Sequence, residues 1–316
     1  MVVAVTGATG VVGSVIADHL ARNNFQVKKV SRAESDILDM AGLVKAFEGV
    51  DAVVHSAGFV SFSPRNKRKL LDVNVQGTRN VVNACLMSGT RKLVHISSVA
   101  ALGVPAKDRR SAGLVVNEDN RWVSGVPVSD YAHSKYLSEL EVFRGMEEGL
   151  EVSVVSPSVV LAAGDGKRSS SLLFGYVWRQ RKFFTDFILN YVDARDVAEI
   201  TVRLLKGGYN GQKFVASGGS IPVRKVFEEI ARRFQKRPPS INVPVGLTSA
   251  IAVLEEFRAA IAGTEPAFSR QSVRALRDGL IFENTKAKQV LGIEFQPLEN
   301  TLDWCCREYR SVNINK

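Results

Sequence analysis

The sequence predicts an α/β protein: a doubly wound parallel sheet with a smaller, mainly helical C-terminal lobe. Three observations predict it. Short apolar runs alternate with longer amphipathic ones through the first 160 residues, most of those runs are apolar on both sides, and the rhythm breaks after residue 160. Runs without polar alternation suit strands buried on both faces, and strand alternating with helix calls for right-handed crossovers covering both sides of a parallel sheet.

The strand-like runs are Val2–Thr6, Gln26–Ser31, Asp51–His55, Arg91–Ser97 and Glu151–Pro157. Between the first two, Val11, Val12, Val15, Ile16 and Leu20 share one helical face. Leu70, Leu71, Val75, Thr78, Val81, Val82 and Cys85 recur at three- and four-residue spacing and predict another helix. A stretch rich in Gly, Ser and bases, Gly164 to Lys182, then interrupts the pattern. A helix is expected along Tyr191-Val192-Asp193-Ala194-Arg195-Asp196-Val197-Ala198, and a strand at Gln212–Ala216. Beyond these the chain reads as helical over Val223–Phe234, Leu247–Ala262 and Thr285–Leu291, with a turn at Pro238-Pro239 and a stop at Gly292. The expected division is a doubly wound α/β domain at 1–163, to which 188–217 return, and a smaller lobe at 164–187 and 218–316.

Composition narrows the class. At 45% hydrophobic and 23% charged the chain is globular rather than disordered. Its net charge of +10 raises a polyanionic partner, and the excess is uneven. Residues 1–150 carry 18 basic and 15 acidic side chains, against 24 and 17 in the remainder. The runs Arg65-Asn66-Lys67-Arg68-Lys69 and Arg232-Arg233-Phe234-Gln235-Lys236-Arg237 come without a recognition motif and read as solvated faces, so no nucleic acid is expected. Cys85, Cys305 and Cys306 suit neither a disulfide framework nor a zinc site; no metal is expected, and a reduced, cytoplasmic setting is. No apolar run is long enough to span a bilayer and the N-terminus has no basic leader, so neither a membrane partner nor a signal peptide is expected.

The chemistry begins at Thr6-Gly7-Ala8-Thr9-Gly10-Val11-Val12-Gly13, between the first strand and the first helix. Gly7 allows a tight turn, Gly10 admits a pyrophosphate to the backbone, and Gly13 lets helix and strand pack closely. The second strand ends at Ser31-Arg32, where a cation suits the 2′-phosphate of NADP; Glu34 nearby keeps NAD as the alternative. Further along, Tyr131-Ala132-His133-Ser134-Lys135 places a phenol and an ammonium on one helical face if Ser129 or Asp130 caps the helix. A phenol titrates at about pH 10, and a nearby ammonium is expected to lower that value.

Together these features resemble the extended short-chain dehydrogenase/reductases of the NAD-dependent epimerase/dehydratase group, with dihydroflavonol 4-reductase the nearest flavour. The glycine spacing is the superfamily's, and Leu93-Val94-His95-Ile96-Ser97-Ser98-Val99-Ala100-Ala101-Leu102-Gly103 looks like its serine strand. The resemblance implies a Rossmann-type fold and a catalytic set of Ser98, Tyr131 and Lys135. Ser98 would hold the substrate oxygen, and Lys135 would also hold the nicotinamide ribose. It implies cofactor contacts from Gly7, Thr9, Gly10, Val11, Val12, Gly13, Arg32, Asp36 and Ile37. Further contacts would come from Ser56, Ala57 and Gly58, from Asn74 of Asn-Val-Gln-Gly-Thr, from Tyr131 and Lys135, and from Pro157 and Val160. The Val192–Ala198 block and Asn284–Gly292 are similar to two later family signatures. A homodimer through the Asn74 and Tyr131 helices is implied as well.

A hydride would pass between nicotinamide and a carbonyl or secondary alcohol of a small substrate. Dehydratases of the group carry an Asp-Glu pair where this chain has Val99-Ala100-Ala101, which disfavours that chemistry. A nucleotide-sugar epimerase is the alternative, although Leu102, Ser156 before Pro157, and Ser129-Asp130 before Tyr131 all depart from its common pattern. A non-catalytic dinucleotide sensor is disfavoured by retention of all three catalytic residues. Candidate substrate contacts are Ser98, Phe59, Ser61, Phe62 and Trp122, with Phe174, Tyr176, Trp178, Phe183 and Phe184 of the 166–187 segment, which suggests a partly apolar substrate. That segment also holds Lys167, Arg168, Arg179, Arg181 and Lys182, facing either an anionic substrate group or solvent.

Overall fold

The computed structural model describes residues 1–104, 113–123, 125–162, 171–250, 252, 271 and 279–313. In chain order its first elements are β1 (Val2–Thr6), α1 (Val11–Arg22), β2 (Gln26–Val30), α2 (Met40–Phe47), β3 (Ala52–His55), α3 (Lys67–Leu70), α4 (Gly77–Ser88) and β4 (Lys92–Ile96). Then follow β5 (Val115–Val116), α5 (Asp130–Glu147), β6 (Glu151–Pro157), β7 (Val159–Leu161), α6 (Ser171–Trp178), β8 (Phe183–Phe184), β9 (Ile188–Asp193), α7 (Ala194–Lys206) and β10 (Gln212–Ala216). The last are β11 (Gly219–Pro222), α8 (Val223–Phe234), β12 (Ile241–Asn242), β13 (Ile281–Phe282), α9 (Thr285–Leu291) and α10 (Leu298–Asn313).

Six strands make the main sheet in the order β10-β6-β4-β3-β1-β2, all of them parallel. The chain steps from β1 to β2 on one side and returns to β3 on the other, so a crevice opens at the carboxyl ends of β1 and β3. Both faces are covered. On one, Ile16 and Leu20 of α1, Val197, Ile200 and Leu204 of α7, and Ala287 and Leu291 of α9 pack on Val3, Val5, Val94 and Phe214. On the other, Leu43 and Phe47 of α2, Val81 and Val82 of α4, and Val142 of α5 pack on Ala4, Val53, Leu93 and Val152. Each helix exposes its remaining face, which is why the strands read apolar throughout while the helices read periodic.

The structure departs from expectation in three places. Tyr191–Asp193 belong to β9, and the helix begins at Ala194, where the Asp193 carboxylate accepts from Arg195 N at 2.7 Å and caps it. Residues 71–76 between α3 and α4 wind as a π-helical turn inside what reads as one continuous helix. Finally, short strands form three small sheets, β11-β9-β7, β12-β8 and β13-β5, around the main one. Strands of a few residues carry too little pattern to be seen in sequence, and their pairing is decided by distant partners. Of the expected Leu247–Ala262 helix, residues 251 and 253–262 lie outside the described residues, as do Lys167 and Arg168.

The lobe has its own core. Phe174 and Val177 of α6, Val226, Phe227, Ile230 and Phe234 of α8, and Leu302, Cys305, Cys306 and Tyr309 of α10 pack together. All three cysteines are buried free thiols. Among the described residues no helix is long and apolar enough to cross a membrane, and no group of His, Cys, Asp and Glu is arranged to hold a metal.

Candidate active site

The parallel sheet delivers the predicted residues to one edge, because Gly7, Arg32, Ser56 and Ser98 each lie just beyond the carboxyl end of a strand and Pro157 ends one. At the first turn Gly7 has φ +68, and a Cβ there would lie 2.7 Å from the backbone of Ala57. A Cβ on Gly13 would lie 2.2 Å from Gly7 O, so helix α1 closes on the turn only with glycine at 13. Gly10 N donates to Gly7 O at 2.8 Å. Gly10 stands at the N-cap of α1 without a side-chain cap, and the first turn carries no acidic residue. Thr9 is exposed beside it, and Val11 and Val12 are half-buried. An uncapped helix start under a cradle that admits no side chain fits a pyrophosphate.

Beyond β2 the exposed Arg32 guanidinium meets Asp36, Nε to Oδ2 at 3.2 Å, and Asp36 also accepts from Leu38 N. Ile37 is buried against Gly77, and its carbonyl accepts from Asn80 Nδ2 at 3.0 Å. Beyond β3, Ser56-Ala57-Gly58 run beneath the glycine turn, with Ala57 N donating to Thr6 Oγ1 at 3.3 Å. Gly58 looks toward Asn74 and Lys135: a Cβ there would be 3.5 Å from Asn74 Oδ1 and 3.9 Å from Lys135 Nζ. Pro157 ends β6, and Val160 pairs with Val192 in the neighbouring small sheet.

The catalytic candidates converge from β4 and α5. Ser129 caps α5, accepting from Ala132 N at 3.1 Å, so Tyr131 and Lys135 project from the first turns of one helix. Ser98 opens a short 3₁₀ turn, accepts from Ala100 N, and lies close enough to the Tyr131 phenol to act on its ionisation. Burial raises the Tyr131 pKa above the usual tyrosine range, with Ser98 pulling the other way. The expectation that Lys135 lowers it is not met by direct contact: the ammonium donates to Ile96 O at 3.1 Å, under the sheet edge. Burial brings Lys135 itself down to about 8, against the upward pull of Glu139.

Two further residues, Glu139 and His55, went unseen in the sequence, unlike the expected Asn74. Glu139, one turn beyond Lys135, is buried, accepts from Ser97 Oγ at 2.5 Å and pairs with Lys213 of β10. It ties α5 to the strand end that carries Ser98. Its place on the face of Tyr131 and Lys135 is the one signal that could have exposed it. His55 lies in a directed chain of hydrogen bonds. Thr78 Oγ1 spends its single proton on Asn74 O at 2.6 Å, so it accepts from His55 Nε2 at 3.0 Å. His55 Nδ1 then accepts from Thr6 Oγ1 at 2.8 Å. Burial first, and Lys135 second, bring His55 down to about 3, so the ring is neutral as this chain requires. Asn74, on the π-helical turn, has its amide fully engaged. It accepts from Phe59 N at 2.8 Å and donates to Phe59 O and Ser134 Oγ, both at 2.9 Å.

Around the phenol, Phe62 presents an edge to the Tyr131 ring at 5.8 Å. Phe59 lies under Lys69 at 4.4 Å, while Ser61 Oγ is taken up by Ser63 N and Asn66 Nδ2. Trp122 stacks on Tyr136 at 4.3 Å and covers Gly103 rather than reaching Tyr131. The aromatics of 171–187 are mostly consumed by the lobe. Phe174 and Trp178 pack with Tyr309, and Tyr176 and Phe184 pack with Phe227; Phe183 is exposed.

Comparison with known proteins bears on the family and the fold. A family model described as the NAD dependent epimerase/dehydratase family matches residues 3–216. The chain is 25% identical to sterol demethylase protein B of Methylococcus capsulatus, over 93% of each chain. It is 26% identical to a putative dihydroflavonol 4-reductase of Synechocystis, over 94% of this chain and 91% of the relative. The crystal structure of gox2253 superposes with a TM-score of 0.81 at 26% identity, covering 99% of this chain and 98% of that one.

Proposed function

The chain belongs to the NAD-dependent epimerase/dehydratase family, and from that premise we propose that it is an NADP(H)-dependent reductase acting on a carbonyl of a small, partly apolar substrate. The observation that carries this reading is the convergence of Ser98, just beyond β4, on the Tyr131 phenol at the start of α5, with Lys135 one turn further along the same helix. The dinucleotide, held at the turn of Gly7, Gly10 and Gly13, would supply the hydride.

The rest is the work of the chain. The Ser98 hydroxyl holds the carbonyl oxygen and stabilises the charge that develops on it. Tyr131, its pKa raised by burial, is a phenol at neutral pH and gives its proton to that oxygen. Lys135, with a pKa of about 8, is still an ammonium at neutral pH and stabilises the phenolate left behind. Where a dehydratase needs carboxylates after the serine, Val99-Ala100-Ala101 form an apolar 3₁₀ turn. Arg32, free in solvent apart from Asp36, supports a reader of the 2′-phosphate. Phe62 against Tyr131 supports an apolar wall, in keeping with the sterol and dihydroflavonol named for the two relatives.

A panel of ketones and aldehydes tests the reading: NADPH should be consumed one for one with product. Tyr131→Phe should lower turnover by about 10²–10⁴-fold while NADPH binding persists. Turnover of a nucleotide sugar alone, with no net loss of cofactor, would replace the reductase by an epimerase.

A further inference from the structure

The surplus positive charge of the second half becomes a surface in the fold. Arg179-Gln180-Arg181-Lys182 leads into β8, and Lys236-Arg237 leads toward β12. The two strands pair in parallel, with Phe183 opposite Ile241 and Phe184 opposite Asn242. Ser240 N and Ile241 N both donate to Lys182 O, at 3.0 and 2.9 Å, and Arg237 N donates to Gln180 Oε1 at 3.4 Å. Two basic runs far apart in sequence are thereby joined.

Within the joined surface the apolar side chains point outward. Phe183 is 56% exposed and Ile241 45%, and as in-register neighbours of a parallel pair they share one face. Leu247, also exposed, follows on the segment that Thr248 ties to Thr185 at 2.7 Å. Arg179, Arg181, Lys182 and Arg237 are exposed and have no ion-pair partner among the described residues. Arg232 and Arg233, by contrast, are paired with Glu229, and Arg233 also with Asp303. Asp186 is the acidic residue of the 179–187 stretch.

We propose that the β8–β12 face, with Phe183, Ile241 and Leu247 among Arg179, Arg181, Lys182 and Arg237, docks on an anionic lipid bilayer. The two halves of the surface choose that partner together. A nucleic acid would use the cations and leave three large apolar side chains in water. A neutral apolar partner would strip water from unpaired cations at a cost. The interface of an anionic bilayer takes apolar tips among the acyl chains and cations among the headgroups. The expectation of no membrane partner rested on spanning segments, and a surface contact requires none. The proposal is independent of the reaction assigned above.

Co-sedimentation of the full chain with phosphatidylcholine vesicles, with and without phosphatidylserine, tests it. The protein should pellet with the anionic vesicles, stay soluble with the neutral ones, and be released at about 1 M salt, where the screening length is about 3 Å. Arg181→Ala, Lys182→Ala and Arg237→Ala combined should weaken partition about a hundredfold, at roughly fivefold per cation. Phe183→Ser with Ile241→Ser should weaken it with the cations intact. Both variants should melt at the wild-type temperature, which separates lost docking from lost folding. Equal partition into neutral vesicles, no partition into either, or partition unchanged in the combined cation variant overturns the proposal. So does tighter binding to a single-stranded RNA oligomer that the Phe183→Ser, Ile241→Ser variant retains in full.

Discussion

Beneath the carboxyl edge of the sheet the interior is polar, with Thr6, His55, Thr78, Asn74 and Ser134 in one chain of hydrogen bonds and Ser97, Glu139 and Lys213 in another. The core of the lobe is built the other way, from Phe174, Trp178, Phe227, Phe234 and Tyr309 ring against ring. Directed hydrogen bonds in a buried site are unforgiving, since losing one partner strands the other. Ring packing is less directional and tolerates replacement at similar volume. The difference teaches where this chain can vary. The polar chains beneath the sheet edge are held to one geometry, whereas the core of the lobe can be reshaped without disturbing the sheet.

The sharpest way to break that contrast is at the turn. Gly13→Ala sets a methyl 2.2 Å from Gly7 O, a backbone atom with no rotamer to yield. The start of α1 must move, at about 1–3 kcal/mol for overpacking. Dinucleotide binding should fall below detection in a fluorescence titration, while far-ultraviolet circular dichroism stays native. Retained binding would mean that the turn is not the pyrophosphate cradle.

Glu139→Gln tests the second polar chain. Gln can still accept from Ser97, but Lys213 loses its buried counter-charge, at about 3 kcal/mol in a denaturant titration. The pH dependence carries the specific signal. Lys135 has a pKa of about 8, so reduction should decline as pH rises through about 8 and the ammonium is lost. Glu139 raises that pKa, and its neutral replacement should move the decline to lower pH. A stability loss with an unmoved profile would leave Glu139 a structural pair alone.

Arg32→Ala addresses selectivity at smaller cost. Its side chain is 75% exposed and forms an ion pair with Asp36 alone among the described residues, so the fold should not notice its loss. If it reads a 2′-phosphate, NADPH should bind about 10–100-fold more weakly, as for a charge-assisted hydrogen bond, with NADH unchanged. Equal weakening of both cofactors would remove Arg32 from that role.

The two regions also differed in how much their sequence disclosed. Val2–Thr6, Glu151–Pro157, Val223–Phe234 and Thr285–Leu291 appear in the structure at the expected bounds, because apolar period and flanking turn residues are local signals. Gly292, the expected stop, takes the left-handed φ of +64 that ends such helices. The glycine turn and the Tyr131–Lys135 spacing are local in the same sense. Glu139 was invisible because its partners Ser97 and Lys213 are 42 and 74 residues away, brought together only when β4, α5 and β10 assemble. The His55 chain was hidden for the same reason, and the π-helical turn at 71–76 because its residues fit an α-helical period equally well. In the lobe, pattern marked α8 but could not say which aromatics would face a pocket. The structure spends most of them on one another.

The smallest expected effect probes the lobe at its joint with the β8–β12 surface. The Tyr176 hydroxyl donates to the carbonyl of Phe183 while its ring stacks on Phe227 at 5.9 Å. Tyr176→Phe keeps the ring and removes one hydrogen bond at a half-exposed site, where water can satisfy the carbonyl. The cost should be about 1 kcal/mol or less in a denaturant titration, with NADPH affinity unchanged because no part of the glycine turn is touched. If the lobe is the tolerant region, KM should shift while the pH profile set by Lys135 stays in place. A displaced pH profile would show the two interiors to be coupled, and the contrast between them would then have to be given up.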